Sequence, residues 1–588
     1  MNAGEAQAES GERGATPSGQ KPFARLVRHC IDRVMHGAGD AGPGELDFGI
    51  GAMLALLAAP GAFAAMVTAE KYGSLFVFLR GETHFDAYAV SLPDEYFFIV
   101  LAMVVAGAVA IWKWDALIPD RRDYVNLAPL PIPAKNILYA NLTALLLLAG
   151  VLALDVNAAS SVIFPLIVCG SVTSFSYMAV FFATHLLSVV LASVFSFFFV
   201  LALLGTLMAV LPYRLFRRCS VYVRCAMILF LMAALSTSFV MTGTLRHLSH
   251  SPRPLSRWLS PVWFLGLCQH LRGIPGPAFA ALAGIAVVAA GASLLFALGA
   301  YALSYRRCFT QSSESISNFA AVGGAIRRGK LHRLLRPFLR TPFQRACFPF
   351  TLKTLFRSEN HTLIVGGFTG MGIVLASQTL FEAAPAAGAR ALPSPALLSL
   401  PLIVAYCLLL GLRFSFEIPV TLRANWIFRL RTNPDTSECV ALARKIMLAF
   451  LVPLLAICLL AYDLRWGLAF AAIHTSIVTA ASLLLIEILL LRLRKIPFTC
   501  SAPQFKSNLL VSVFLYFLGF VVFTSWVAAA EEAALADPLW YVAFVVAVAL
   551  IWLSLKRYRG EMTYVDKRLI FEEQPEPAVE RLDLTFSR

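Results

Sequence analysis

The sequence predicts an all-α polytopic membrane protein of about 12 transmembrane helices, arranged as two parallel six-helix halves. Twelve apolar runs each reach or approach the roughly 20 residues that a helix needs to cross the hydrocarbon core. Composition agrees: 59% of the 588 residues are hydrophobic and 14% charged, with a mean hydropathy of +0.73, where a soluble domain carries about a quarter charged residues. When the runs alternate across a bilayer, all but eight of the 49 Lys and Arg residues fall on one side.

The runs cover 48–69, 97–114, 137–154, 178–212, 225–243 and 278–304, then 362–381, 396–412, 446–462, 467–491, 509–530 and 539–555. The runs 396–412 and 446–462 fall short of that length. Lys and Arg are retained in cytoplasmic loops, and those predicted outside are Lys71, Arg80, Arg246, Arg253, Arg257, Arg272, Arg390 and Arg465. This asymmetry places the chain, multi-pass, in a bacterial cytoplasmic (inner) membrane with both termini in the cytoplasm. The net charge of +15 is thus a topology signal, and no soluble basic domain remains to bind nucleic acid. Mostly polar residues precede the first run, so no cleavable signal peptide is expected. The eleven cysteines show no CxxC or Cys/His ligand spacing, which predicts neither a disulfide framework nor a metal site.

Residues 1–20 are poor in bulky apolar side chains and are expected to be disordered. Over 21–46 the residues Phe23, Leu26, Val27, Cys30, Ile31 and Val34 recur at helical spacing among Arg25, Arg28 and Arg33, the pattern of an interfacial amphipathic helix. The first six-helix half spans 47–304. A basic cytoplasmic linker, 305–361, repeats the amphipathic pattern from Leu331 to Arg357. The second half covers 362–556, and 557–588 forms a cytoplasmic tail. An even number of crossings per half gives both the same orientation, hence a parallel repeat.

Between the fifth and sixth runs, the predicted outer loop 244–277 holds Trp263, Phe264 and Leu267 on one apolar face, which suggests two short helices at the outer interface. The corresponding second-half stretch, 528–538, is too short for them. The fourth run is long enough to start along the surface and bend before crossing. The piece 160–174, with Pro165 and Gly170, reads as a surface or re-entrant turn.

The chemistry of the chain is mostly negative. It carries no GxxxxGK[ST] phosphate loop, no HExxH and no GxSxG, so it is expected to be no enzyme, to bind no cofactor and to lack its own ATPase. GGFTGMG at 366–372 lies inside the seventh run, where close helix packing explains it. Apart from Lys113 at the edge of the second run, the ionisable residues inside the runs are His185, His474 and Glu487, and these read as structural groups. An ion-coupling relay is not visible.

The predicted cytoplasmic loop 114–136 is the most specific text. Pro119 opens a short helix, Asp120 and Asp123 suit its first turn, and Pro129, Pro131 and Pro133 end it. With Arg121, Arg122 and Tyr124 followed by Leu130 and Pro131, this loop resembles the coupling region of ABC-2 type transporter permeases, a six-span exporter fold. The amphipathic lead-ins resemble the interfacial elbow helices of that family, and Trp263 to Leu267 its short outer-face helices. In the second half, Phe416 to Leu430 holds the coupling position, with Pro419, Leu422, Arg423, Asn425 and Trp426 as counterparts but no Leu-Pro pair. The resemblance implies two permease halves fused in one chain, with ATP bound on cytoplasmic ABC ATPase subunits, two per chain, supplied as partners. Two other classes stay open: an ion-coupled or facilitative carrier, and a non-transporting membrane protein such as an assembly scaffold or a lipid-acting enzyme.

Overall fold

Apolar sequence in the absence of water leaves helix as the way to satisfy backbone groups within one segment, and helix is what the chain forms. The computed structural model describes residues 22–36, 50–78, 87–114, 132–169, 175–240, 258–274, 276–311, 338–383, 393–419, 436–491, 493, 495–499 and 509–565. Among them, eleven helices are long and apolar enough to cross a membrane. The chain is a multi-pass membrane protein.

The first half contains α1 (Pro22–His36), α2 (Ile50–Phe78), α3 (Ala87–Trp112), α4 (Ala134–Cys169), α5 (Phe175–Val210), α6 (Tyr213–Val240), the short α7 (Ser260–Leu271) and α8 (Pro277–Gln311). The second contains α9 (Pro342–Arg357), α10 (Glu359–Ala383), α11 (Pro395–Ser415), α12 (Thr436–Trp466), α13 (Leu468–Leu489), α14 (Leu509–Val521) and α16 (Pro538–Val565). Between α14 and α16, a π turn (Val522–Trp526) runs straight into α15 (Val527–Ala536). Each predicted run overlaps one of these helices, and the eleventh runs through α14, the π turn and into α15. The first, in α2, shows a shorter described apolar stretch, Leu57–Ala69.

The two halves repeat one packing scheme. Each lead-in helix, α1 or α9, lies against the third long helix of its half, α4 or α12. The amphipathic pattern explains this: Val27, Cys30 and Val34 of α1 are buried, while Arg33 Nη2 donates to Asn141 Oδ1 at 3.0 Å. In the second half, Lys445 Nζ donates to Gln344 Oε1 at 2.6 Å, and burial pushes the Cys347 thiol of α9 up to about 11. The second long helix touches the third, fourth and fifth in both halves, and the fourth touches the third and sixth. Each half has its own apolar core, residues 34–297 in one and 339–528 in the other.

The halves meet where α10 packs on α6. The GGFTGMG stretch makes the approach possible, as expected from the sequence. A Cβ on Gly366 would stand 2.8 Å from Cys225 Sγ, and one on Gly370 would stand 1.7 Å from Leu229 Cδ2. The buried Arg224 adds an ion pair across this seam to Glu359 at 3.7 Å.

Several expectations are corrected. Residues 160–169 form no turn: they complete α4, a single helix of 36 residues that tolerates Pro165 because Phe164 and Val168 beside it are fully buried. α5 is likewise one unbroken helix of 36 residues, about 54 Å at 1.5 Å per residue. Of the two short helices expected over 244–277, the described residues 258–274 hold one, α7, and 241–257 lies outside the described residues. Residues 527–536 form helix rather than loop, and α15 packs against the second, fourth and sixth long helices of its half, as α7 does in the first. The second half therefore has a counterpart of α7. α8 extends to Gln311 and α16 to Val565, beyond the expected domain edges, and the predicted disordered segment 1–20 lies outside the described residues.

Candidate functional site

We call the end of the bundle that carries α1 and α9 the lead-in end, and the opposite end, with α7 and α15, the far end. Most predicted coupling residues at the lead-in end, namely Pro119, Asp120, Arg121, Arg122, Asp123, Tyr124, Leu130, Pro131, Leu422, Arg423, Asn425 and Trp426, lie outside the described residues. Pro419 is described, and the stem leading to it is held firmly. Glu417 pairs with both Arg413 and Lys495. Arg413 Nε donates to the Leu489 carbonyl at 2.9 Å, and His361 Nε2 lies 3.0 Å from the Ile418 carbonyl oxygen. Phe498 N–H donates to the Phe416 carbonyl at 3.3 Å from a backbone with φ of 71°. Glu487 pairs with Arg444 at 2.6 Å and with Arg559, tying α13 to α12 and α16.

The far end holds buried polar clusters that hydropathy alone did not reveal. In the first half, Glu95 of α3 accepts from Arg272, from Gln269 Nε2 at 2.7 Å and from Ser91 Oγ at 3.1 Å. Both Glu95 and Arg272 side chains are 0% exposed. The Arg272 guanidinium also donates through Nε to Thr184 Oγ1 at 3.0 Å and lies over the Phe181 ring at 3.8 Å. The backbone explains its aim. α7 ends with Gly273 at φ of 79°, where Gly273 N–H donates to His270 and Ile274 N–H to Gln269, a Schellman closure that requires a left-handed residue after the cap. The predicted face of α7 is docked rather than solvent-facing: Phe264 and Leu267 are buried, and Trp263 and Phe264 pack on Phe195. On the neighbouring helix pair, Asp94 accepts from Lys71 Nζ at 2.7 Å and from the Tyr72 hydroxyl at 2.7 Å.

In the second half, His474 Nδ1 of α13 lies 2.5 Å from Glu531 Oε1 of α15, and both side chains are 0% exposed. His474 Nε2 and Glu531 Oε2 are buried with no hydrogen-bond partner among the described residues. Tyr462, Trp466 and Phe470 wall the pair, with the Tyr462 ring 4.2 Å from the imidazole. Gly467, at φ of 89°, lets α12 turn into α13 in a single residue and so brings Tyr462 and His474 together.

His185 and His474 occupy the same place in the two halves, near the far end of the fourth long helix. Setting one helix on the other pairs Phe181 with Phe470, Ala183 with Ala472, His185 with His474, Val189 with Val478, Ala192 with Ala481 and Ser193 with Ser482. Both histidines, valines and serines are fully buried. The shared pattern is a residue-level trace of the repeat that layout alone had suggested. The partners differ: His185 packs between Phe98 and Phe164 with neither ring nitrogen hydrogen-bonded among the described residues, whereas His474 meets a carboxyl group. Asp155 in α4, Glu95 and Glu531 are thus ionisable residues of membrane-spanning helices beyond the three expected. Comparison with known protein families, with curated proteins and with solved structures finds no match for the chain.

Proposed function

We propose that the chain is the membrane-spanning permease subunit of an ATP-driven exporter in a bacterial cytoplasmic membrane, coupled through the 114–136 and 416–430 loops to two separate ATPase subunits. The carrying observation is the duplicated scheme in which each half docks a lead-in helix on its third long helix, with the halves meeting, among the described residues, along the small-residue seam between α6 and α10. Two halves sharing one narrow seam can rock against each other, which alternating access requires. The salt-bridged stem before Pro419 supports the same reading, because a push on a loop reaches the bundle only through a stiff base. ATP binding on the partners then closes the cytoplasmic side.

Reversing both loop arginines, Arg122→Glu with Arg423→Glu, is expected to lower co-purification of an ATPase by at least about tenfold, the scale of truncating buried interfacial charges, with membrane insertion unchanged. A gentle-detergent pull-down reads this, and undiminished ATPase recovery would remove these loops as the docking surface. A second reading, an ion-coupled carrier, is favoured by the buried His474–Glu531 pair. Cargo movement in vesicles on an ion gradient with no ATPase present would select it.

A further inference from the structure

Ionisable side chains are rare inside membrane-spanning helices because their insertion is costly, and those that persist mark ion or proton pathways by default. Glu95 is matched by an arginine, a glutamine amide and a serine hydroxyl. Among the described residues Glu531 is hydrogen-bonded and charge-paired with His474. From α12 the titratable groups beside the pair are Cys458 and Tyr462, and the Tyr462 hydroxyl is committed to the Leu397 carbonyl at 2.5 Å. α13 contributes no second charge at this end. Between Pro395 and Leu412 on α11, and between Pro538 and Leu555 on α16, the sequence contains no charged residue. On α15 the neighbouring Glu532 is exposed.

We propose that His474 and Glu531 form a proton-binding site, which holds one proton between them while α12, α13 and α15 are closed and releases it when they part. With one proton the pair is neutral overall; with none it carries a net negative charge, and with two a net positive charge. A buried net charge without a partner is strongly disfavoured, so the closed pair keeps its single proton. The imidazole and carboxyl touch directly, leaving a proton as the ligand that fits. Once parted in water, a carboxyl group titrates near roughly 4.3 and an imidazole near roughly 6.5. Above about 6.5 the parted pair therefore holds no proton, and opening releases one. By linkage, the closed contact has its full stability between about 4.3 and about 6.5, where the parted groups also hold one proton between them; it weakens below that window, where parting takes up a second proton, and above it, where the opening constant grows up to about tenfold per pH unit. This site goes beyond the exporter reading and operates whether or not an ATPase drives the cycle.

Two native cysteines provide the test in the full chain reconstituted in nanodiscs. Cys458 lies beside the pair, with Thr475 Oγ1 3.9 Å from its sulfur. Cys268 is buried on α7 at the corresponding level of the first half. Alkylation of each by a small maleimide is followed against pH by peptide mass spectrometry, and the Cys458 to Cys268 ratio cancels the thiols' common ionisation. The ratio is expected to climb above about pH 6.5, approaching tenfold per unit, and to stay flat in Glu531→Gln, which keeps a hydrogen bond and binds no proton. In His474→Gln the remaining carboxyl should move the onset down toward roughly 4.3. A flat ratio in the unmodified chain, or an unchanged rise in Glu531→Gln, would overturn the proposal. If neither variant folds, the slope of the unmodified chain decides alone.

Discussion

Arg272→Met is expected to destabilise the first half by about 3–5 kcal/mol, the cost of leaving a buried charge without its partner. Glu95 would keep Gln269 and Ser91 but lose its only cation, inside a site with no exposed surface. The same change removes the bond to Thr184 and the cover over Phe181, so α7 would lose its grip on α3 and α5 together. The measurement is thermal unfolding followed by fluorescence-detected size exclusion in mild detergent. Pairing the change with Glu95→Gln removes the orphaned charge and should restore more than half of the loss. Unfolding of the single variant at the wild-type temperature would show that the ion pair does not hold the far end.

The second large effect is expected at the seam. Gly366→Leu with Gly370→Leu places two branched side chains, one turn apart, where Cys225 and Leu229 already stand. Overpacking of this kind costs about 1–3 kcal/mol per site, at the seam where the described residues of the two halves, each with its own apolar core, pack together. With a protease site inserted between 312 and 337, the cleaved wild-type halves should co-elute and the double variant should separate. For the milder Gly370→Ala, Leu229→Ala should rescue assembly, because the clash lies with that one side chain. Co-elution of the double leucine variant would place the main inter-half contact elsewhere.

Helix number and order were legible because hydropathy is a property of contiguous residues. The helix ends were not. Glu95 delayed the start of the second run to 97 although its helix begins at Ala87, and Glu531 made residues 528–538 look like a loop, since a carboxylate counts as solvent-facing wherever it stands. Their partners come from far along the chain, Arg272 at a separation of 177 residues and His474 at 57, so no local pattern announces that these charges are matched. His185 and His474 were visible as isolated histidines. Only the superposition of the two fourth helices shows that they stand at one shared position, and that comparison needs the helix boundaries first. Pro165 misled in the opposite direction, since in a packed helix one proline removes a single backbone bond and neighbouring side chains compensate.

The five residues Val522–Trp526 are wound wider than the helices they join. A π turn holds one more residue than the α turn it replaces, and one residue is about 100° of rotation in a 3.6-residue helix. The azimuth of all of α15 is therefore set by that one supernumerary residue. Rewinding it to ordinary α geometry would turn Glu531 by about that angle away from the imidazole, so a crank is already built into the shaft that carries the carboxyl group.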